Sequence, residues 1–177
     1  TAYSTLEKAV AAPYLRKSFL INSQPEHAEI RICGLGFYEL YIKGTRITKG
    51  ALAPYITAPD QIIYYDDYDV TPYLRQGENV IGILLGNGTQ NAFGAFVWDF
   101  DKSLWRSSPK VAMMFSAKLS CGDELVIESD TSFKTASSPI ICDDLRLGEQ
   151  YDARLKIEGW NLPGFDDSNW ENALPAE

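Results

Sequence analysis

The sequence has very few of the residues from which metal and redox centres are built. Its 177 residues include a single histidine, His27, and three widely spaced cysteines, Cys33, Cys121 and Cys142, with no Cys-x-x-Cys pair. Zinc sites in proteins use four cysteine or histidine ligands at short spacings, so the sequence indicates no zinc site. The odd number of cysteines favours three free, mostly buried thiols, and one disulfide with one free thiol is the alternative.

Positive charge is also scarce, with 16 Lys and Arg residues against 24 Asp and Glu residues and a formal net charge of −8. Nucleic-acid backbones require a basic face, so we expect no nucleic-acid partner. No apolar run reaches the roughly 18 residues of a membrane-spanning helix, so we expect no membrane partner. The start of the chain, TAYSTLEKAV, has no basic segment followed by an apolar one. We therefore predict no signal peptide here; one has been removed, or the chain is a piece of a longer one.

Catalytic motifs are missing as well. There is no GxxxxGK[ST] phosphate loop and no G-x-S-x-G nucleophile motif, and the Gly34-Leu35-Gly36 stretch has Glu39 where a dinucleotide fingerprint needs a third glycine. Aspartates are plentiful, and a glycosidase needs a pair of carboxylates about 5–10 Å apart, but the sequence does not select a pair. Turn formation, capping and solvation explain these acids, and a structural calcium ion is the alternative; we expect no other cofactor. The acids are Asp66, Asp67, Asp69, Asp99, Asp101, Asp143, Asp144, Asp166 and Asp167.

What the sequence does contain is a pattern of short strands. Aromatic residues make up 12% of the chain, and apolar residues alternate with polar ones in several segments, which is typical of strands with one buried face. We predict a bulge or bend at 34–36, a hairpin at Lys43-Gly44, a short helix or turn at 4–12 and a helical turn at 71–77 capped by Thr71. The predicted strands are 15–21, 28–33, 38–42, 62–70, 79–85, 92–100, 111–120 and 124–129.

This pattern predicts an all-β fold, an antiparallel β-sandwich of the jelly-roll type with few helical turns. We expect a single domain over 1–177, in which 1–13 is a lead-in and 14–173 forms the sandwich. From Asp130 onward the alternation weakens. We interpret the tail as an ordered loop that packs Trp160, Phe165 and Trp170 onto the sandwich.

One loop has the composition of a sugar site. Polar residues from Asn87 to Asn91 precede Trp98, and Trp105 follows in the next turn. Sugar rings stack on aromatic side chains while amides bond their hydroxyls, so a glycan could bind at this loop end. Packing of Trp98 and Trp105 in the core or at its rim is the alternative.

Four segments together carry a resemblance to a known family. They are GLGFYELYIKGTRI (34–47), LAP (52–54), YYDDYDVTPYLRQGENVIGILLGNG (64–88) and GEQYDARLKIEGWNLPGFDDSNW (148–170). The combination is similar to the N-terminal β-sandwich domain of bacterial α-L-rhamnosidases and covers most of 14–173. Some of these pieces also occur in galactose-binding-like sandwiches of other glycosidases. The chain departs from the family pattern at Lys43, where asparagine is usual, and at Thr89, where many relatives carry an aromatic residue.

The resemblance implies a non-catalytic module of a larger multidomain hydrolase that removes terminal α-L-rhamnose. Catalysis would lie in a separate (α/α)₆ domain of the same parent chain, which would be this domain's partner. A rhamnose-containing glycan is the expected ligand, and a periplasmic or extracellular location is implied. The alternatives are a purely structural docking domain and a stand-alone carbohydrate-active enzyme. For a sugar site we select Asn87, Asn91, Trp98, Tyr65 and Asp67, with Trp98 stacking on the ring and the amides orienting hydroxyls.

Overall fold

A computed structural model of the protein describes residues 9–50, 52–93, 99 and 102–176. The described residues form strands joined by turns, with two short 3₁₀ helices at Thr71–Tyr73 and Ala153–Leu155 and no helix long and apolar enough to cross a bilayer. The strands are β1 (Pro13–Ile21), β2 (Pro25–Leu35), β3 (Tyr38–Ile42), β4 (Thr45–Arg46), β5 (Asp66–Asp69), β6 (Gly77–Leu85), β7 (Lys110–Leu119), β8 (Glu124–Glu128), β9 (Lys134–Ser137), β10 (Ile140–Asp144), β11 (Gly148–Tyr151) and β12 (Glu171–Asn172).

Two antiparallel sheets form the sandwich, as the sequence predicted. The first contains six strands in the order β12-β9-β1-β6-β3-β4, and the second contains four in the order β5-β2-β7-β8. A separate hairpin is formed by β10 and β11. Consecutive strands cross between the sheets, with β1, β3 and β6 in the first and β2, β5 and β7 in the second. Such crossing is expected of the jelly-roll type.

The core lies between the two sheets and follows from the period-two pattern. Ile30 on β2 lies opposite Phe115 on β7, and Leu40 on β3 lies opposite Ile83 on β6; all four side chains are fully buried. Strand β6 has neighbours on both sides and is buried on both faces, as the continuous apolar run predicted. The core therefore fixes which residues of each strand face outward.

The tail covers the outer face of the six-stranded sheet, which confirms the predicted packing of its aromatic residues. Trp160 stacks on Tyr14 with ring centroids 4.0 Å apart. The guanidinium of Arg16 lies 5.2 Å from the centre of the Phe165 ring and pairs with the carboxylate of Asp167. Residues 160–170 are thus held to β1 by stacking and by a charge that is itself buried.

Two tight turns behave as the sequence predicted. Lys43 and Gly44 have φ values of 47° and 81°, so the β3–β4 hairpin turns through two left-handed residues. The bend at 34–36 ends in Gly36, whose φ is 121°. A Cβ on Gly36 would lie 2.3 Å from the carbonyl oxygen of Gly86, so no larger residue fits at this crossing. All three cysteines are free thiols, as expected, but the expectation that they are mostly buried was wrong, because Cys121 is exposed and Cys33 and Cys142 are half-buried.

Several local predictions were wrong. The strand predicted at 62–70 is formed only at Asp66–Asp69, and Ile62 and Tyr64 are about half exposed instead of sharing a buried face. Thr71 does not cap the helical turn, which begins after Val70; the Thr71 hydroxyl instead accepts a hydrogen bond from the Ala28 amide at 2.8 Å.

The weakly patterned region after Asp130 also differs from the prediction, because it contributes strands β9 to β12 and is not all loop. No helix forms at 9–12, and the rest of the helix predicted at 4–12 lies outside the described residues. The same holds for most of the strand predicted at 92–100.

Candidate functional site

Loops from both sheets meet at one end of the sandwich, next to the Gly36 bend. The amide of Gly86, just after β6, donates to the carbonyl of Phe37 at 2.7 Å, which joins the end of β6 to the β2–β3 turn. A Cβ on Gly88 would lie 2.8 Å from the Phe37 nitrogen. The close approach of these backbones places the 86–93 loop, and with it the predicted sugar-binding amides, beside residues 34–37.

Asn87 and Asn91 take part in a buried network with β10. The Asn87 backbone amide donates to Asp143 Oδ2 at 2.6 Å, and its side-chain Nδ2 donates to the Asp143 carbonyl at 2.8 Å. Asn91 Nδ2 donates to Asn87 Oδ1 at 2.8 Å. Asn87 is 3% exposed and Asn91 is fully buried, so both amides hold the loop in place within the protein.

Two acids of β10 complete this network. Burial raises the pKa of Asp143 to about 6, against the lowering effect of the hydrogen bond from the Asn87 amide. Asp144 accepts hydrogen bonds from the amides of Phe93, Arg146 and Leu147 at 2.9–3.0 Å. Within the described part of the chain, no three His, Cys, Asp or Glu side chains are grouped closely enough to hold a metal ion. The calcium ion considered from the sequence stays a prediction.

Tyr65 and Asp67 lie together on the outer face of the four-stranded sheet, and Arg31 joins them. The Arg31 guanidinium binds both carboxylate oxygens of Asp67, at 2.8 and 3.2 Å, and lies 4.9 Å from the centre of the Tyr65 ring. The hydrogen bond to Asp67 raises the pKa of Arg31. Tyr65 is 57% exposed. These three residues, which we call the Arg31 cluster, present a ring, a cation and an anion to solvent.

The five residues selected from the sequence therefore divide into separate groups. Asn87 and Asn91 are buried in the network, and Tyr65 and Asp67 are exposed in the Arg31 cluster. Trp98 lies outside the described residues. Arg31 was missed, although it faces Asp67 directly across the β2–β5 ladder. Only the register of the two strands could have revealed it.

A groove of about 420 Å³ is lined in part by Asn87. Its walls include Pro13, Thr135, Pro109 and Trp170. Small-molecule sites commonly have volumes of about 300–1,000 Å³, so the groove is large enough for a single sugar ring. Trp170 was expected only to pack, and it also forms one wall of this groove.

A patch of large apolar side chains lies beside the same loop end. Its members belong to the connection between β4 and β5 and are 48–82% exposed. Four of them, Tyr55, Ile56, Ile63 and Tyr64, line a shallow cleft whose other side is formed by residues 34–37, Thr89 and Gln90. We call this surface the loop patch; it consists of Leu52, Tyr55, Ile56, Ile62, Ile63 and Tyr64.

The aspartates noted in the sequence have structural partners. Asp66 accepts from the Tyr38 hydroxyl at 2.5 Å, Asp69 accepts from the Thr71 amide at 2.9 Å, and Asp166 accepts from the Ser168 amide at 3.0 Å. Asp99 pairs with Lys102 at 2.7 Å. Asp67, Asp143, Asp144 and Asp167 have the partners given above, and Asp101 lies outside the described residues. The described acids are thus engaged in turns, buried hydrogen bonds and ion pairs.

The family model for the α-L-rhamnosidase N-terminal domain matches residues 23–177. The chain belongs to this family. An α-L-rhamnosidase from Formosa agariphila is 35% identical over 162 residues, which cover 90% of this chain and 17% of that protein.

Solved structures agree with the assignment. That of α-L-rhamnosidase from Dictyoglomus thermophilum superposes with a TM-score of 0.83 at 41% identity, covering 94% of this chain and 18% of that one. The Streptomyces avermitilis α-L-rhamnosidase, solved in complex with L-rhamnose, gives 0.84 at 30% identity, covering 96% and 16%. The chain spans 16–19% of the length of the curated relatives it matches. The resemblance drawn from the sequence motifs is confirmed.

Proposed function

We propose that this chain is an ancillary, non-catalytic domain of an α-L-rhamnosidase whose catalytic residues lie elsewhere in a longer polypeptide. The observation that carries the proposal is the family match combined with the small share of each relative that the domain spans.

The test compares the full-length protein with the domain alone. We expect the full-length enzyme to release the chromophore from a nitrophenyl α-L-rhamnoside, and the domain at the same molar concentration to give no release above the buffer rate. Turnover by the domain alone would contradict the non-catalytic assignment. A full-length protein that cleaves other nitrophenyl glycosides but not the rhamnoside would contradict the assigned substrate.

A rhamnose-containing glycan is the ligand we propose for the domain itself, with the Arg31 cluster as its contact. Tyr65 offers an exposed ring on which the apolar face of a pyranose can stack. Asp67 and Arg31 are charged hydrogen-bonding groups held in a fixed geometry beside that ring, at 2.8 Å from each other. Fixing polar groups before binding lowers the ordering cost, which favours recognition of a small polar ligand.

In this proposal Asn87 and Asn91 act indirectly. Both are buried, and their amides already bond Asp143 and each other. A sugar hydroxyl would have to displace those bonds to reach them. Their role is to hold the 86–93 loop in shape.

Isothermal titration of the folded domain with a rhamnose-terminated oligosaccharide tests the contact. Loss of one stacking ring is worth about 1 kcal/mol or more, so Tyr65→Ala should weaken binding by about fivefold or more. Tyr151→Ala is the matched control, because Tyr151 is similarly exposed at 51% but lies on β11. Equal affinity of the two variants for the oligosaccharide would show that the Arg31 cluster is not the contact. If the unchanged domain gives no heat of binding, the rhamnose-containing glycan is not its ligand.

A further inference from the structure

We infer that the loop patch is the surface through which this domain packs against the remaining part of its own polypeptide. The inference rests on the proposed function, since it requires the domain to be one part of a larger enzyme. Four of its side chains, Tyr55, Ile56, Ile63 and Tyr64, line one continuous cleft. Together the six members expose on the order of several hundred Å², as much as the largest apolar patch on a typical monomer.

The composition of the segment favours a protein surface as the occupant. Residues 50–65 read GALAPYITAPDQIIYY and contain one charged residue, Asp60, whereas 23% of the whole chain is charged. Protein interface cores are depleted of charge and enriched in tyrosine. Leu52, Ile56 and Ile62 have no ring to stack on a sugar and no group to bond a hydroxyl. Aliphatic side chains of this kind are desolvated best by other apolar side chains.

The backbone presents the patch in a fixed form. The Tyr38 amide donates to the Ala53 carbonyl at 2.8 Å, and the amides of Gln61 and Ile62 both donate to the Ala58 carbonyl at 2.9 and 3.0 Å. Pro54 and Pro59 limit the backbone further. These bonds and prolines hold the backbone of the segment in one conformation, so little backbone entropy is lost when the patch binds a partner.

The size of the patch favours a tethered partner over a second copy. A stable interface between independent proteins buries about 800 Å² on each side. A covalently linked partner needs less area, because tethering gives an effective concentration in the millimolar range. The curated relatives are about five to six times as long, since this domain spans 16–19% of them. Two copies of this domain, each with a formal charge of −8, would also repel one another.

Photo-cross-linking in the full-length enzyme tests this inference. Tyr55, which is 82% exposed, is replaced by p-benzoylphenylalanine, and the products are mapped by peptide mass spectrometry. The control carries the same photo-reactive residue at Val126, which is 56% exposed on β8 of the four-stranded sheet. We expect at least a tenfold higher cross-link yield from position 55, with the partner peptide outside the 177 residues and in the same molecule.

Three results would overturn the inference. They are equal yields from positions 55 and 126, partner peptides found only inside this domain, and cross-links joining a light-isotope copy to a heavy-isotope copy in a mixed sample. Rhamnosidase activity is measured on the same preparation before irradiation. An active enzyme without the expected cross-link refutes the docking surface alone, whereas a protein without rhamnosidase activity refutes the proposed function.

Discussion

Removing Asp167 should destabilise this domain far more than removing a surface ion-pair partner. Arg16 is 1% exposed, and Asp167 Oδ2 is the acceptor for its Nη1. After Asp167→Ala, the guanidinium keeps a 3.3 Å hydrogen bond from Nη2 to the Leu162 carbonyl and its position over Phe165. Its charge then remains buried without a counter-ion.

The size of the effect follows from this geometry. Breaking a buried ion pair by removing one partner costs about 3–5 kcal/mol. The Asp167 side chain is 25% exposed, so water can partly replace it, and we expect a loss of roughly 3 kcal/mol. For a chain of this length that corresponds to a fall in melting temperature of about 6–12 °C.

Urea unfolding followed by tryptophan fluorescence measures this loss, because Trp160 and Trp170 lie in the docked tail. The double variant Arg16→Met with Asp167→Ala should recover most of the stability, since it removes the buried charge together with its partner. Lys156→Ala is the control, because the Lys156–Glu158 pair is largely exposed and its loss should leave the unfolding free energy nearly unchanged. A single variant within about 1 kcal/mol of the unchanged protein would refute the reasoning, as would a double variant no more stable than the single one.

Two further predictions concern the loop end. Gly36→Ala should lower the free energy of unfolding in urea by about 3 kcal/mol or more, because the new Cβ would lie 2.3 Å from the Gly86 carbonyl oxygen. The control is Gly122→Ala, where φ is 89° and no atom lies near the new Cβ, so the loss should be only about 1–2 kcal/mol. Equal losses from the two variants would contradict the steric clash at Gly36. Burial raises the pKa of Asp143 to about 6, above the roughly 3.9 of an unfolded aspartate, so its stabilising contribution is complete below about pH 4 and is lost as pH rises through 6. Asp143→Asn should therefore remove a decline of about 2 kcal/mol in unfolding free energy between pH 4 and pH 7, and an unchanged pH profile would refute it.

The strands that could be predicted from the sequence are the ones whose alternation faces a core. Strands β2, β3, β6 and β7 have 5 to 11 residues and strict or continuous apolar patterns. Strands β9 to β12 have only 2 to 5 residues and little buried surface, so their formation depends on neighbours that the sequence does not identify. Segment 62–65 (IIYY) is a continuous run of apolar and aromatic residues, but β2 pairs with β5 only from Glu29 to Ile32 and then reaches its glycine bend. Because residues 62–65 have no partner strand, their side chains remain exposed to solvent.

The candidate site was harder to predict for the same reason. Asn87 and Asp143 are 56 residues apart, and Arg31 and Asp67 are 36 apart. Their contacts depend on how the sheets are registered. The polar composition of 87–91 suggested a ligand site, but the same amides satisfy buried groups of the protein itself. Composition alone does not distinguish a side chain that bonds a sugar from one that bonds its own backbone.

The motifs that identify the family are largely devices of folding, and this decides where recognition should be sought. The glycines of GLG and GNG permit the backbone crossing at Gly36 and Gly86. Trp160 of the GW pair packs directly over Gly82, where an added Cβ would lie only 2.9 Å from the indole ring. Asp167 of FDDS neutralises the buried charge of Arg16. Residues committed to the scaffold in this way are not available to a partner. The exposed side chains of the loop patch and of the Arg31 cluster do not serve the scaffold in this way, although Leu52, Tyr64 and Asp67 belong to the motif segments themselves. The identity of the partner should therefore depend on these exposed side chains and not on the buried residues of the same motifs.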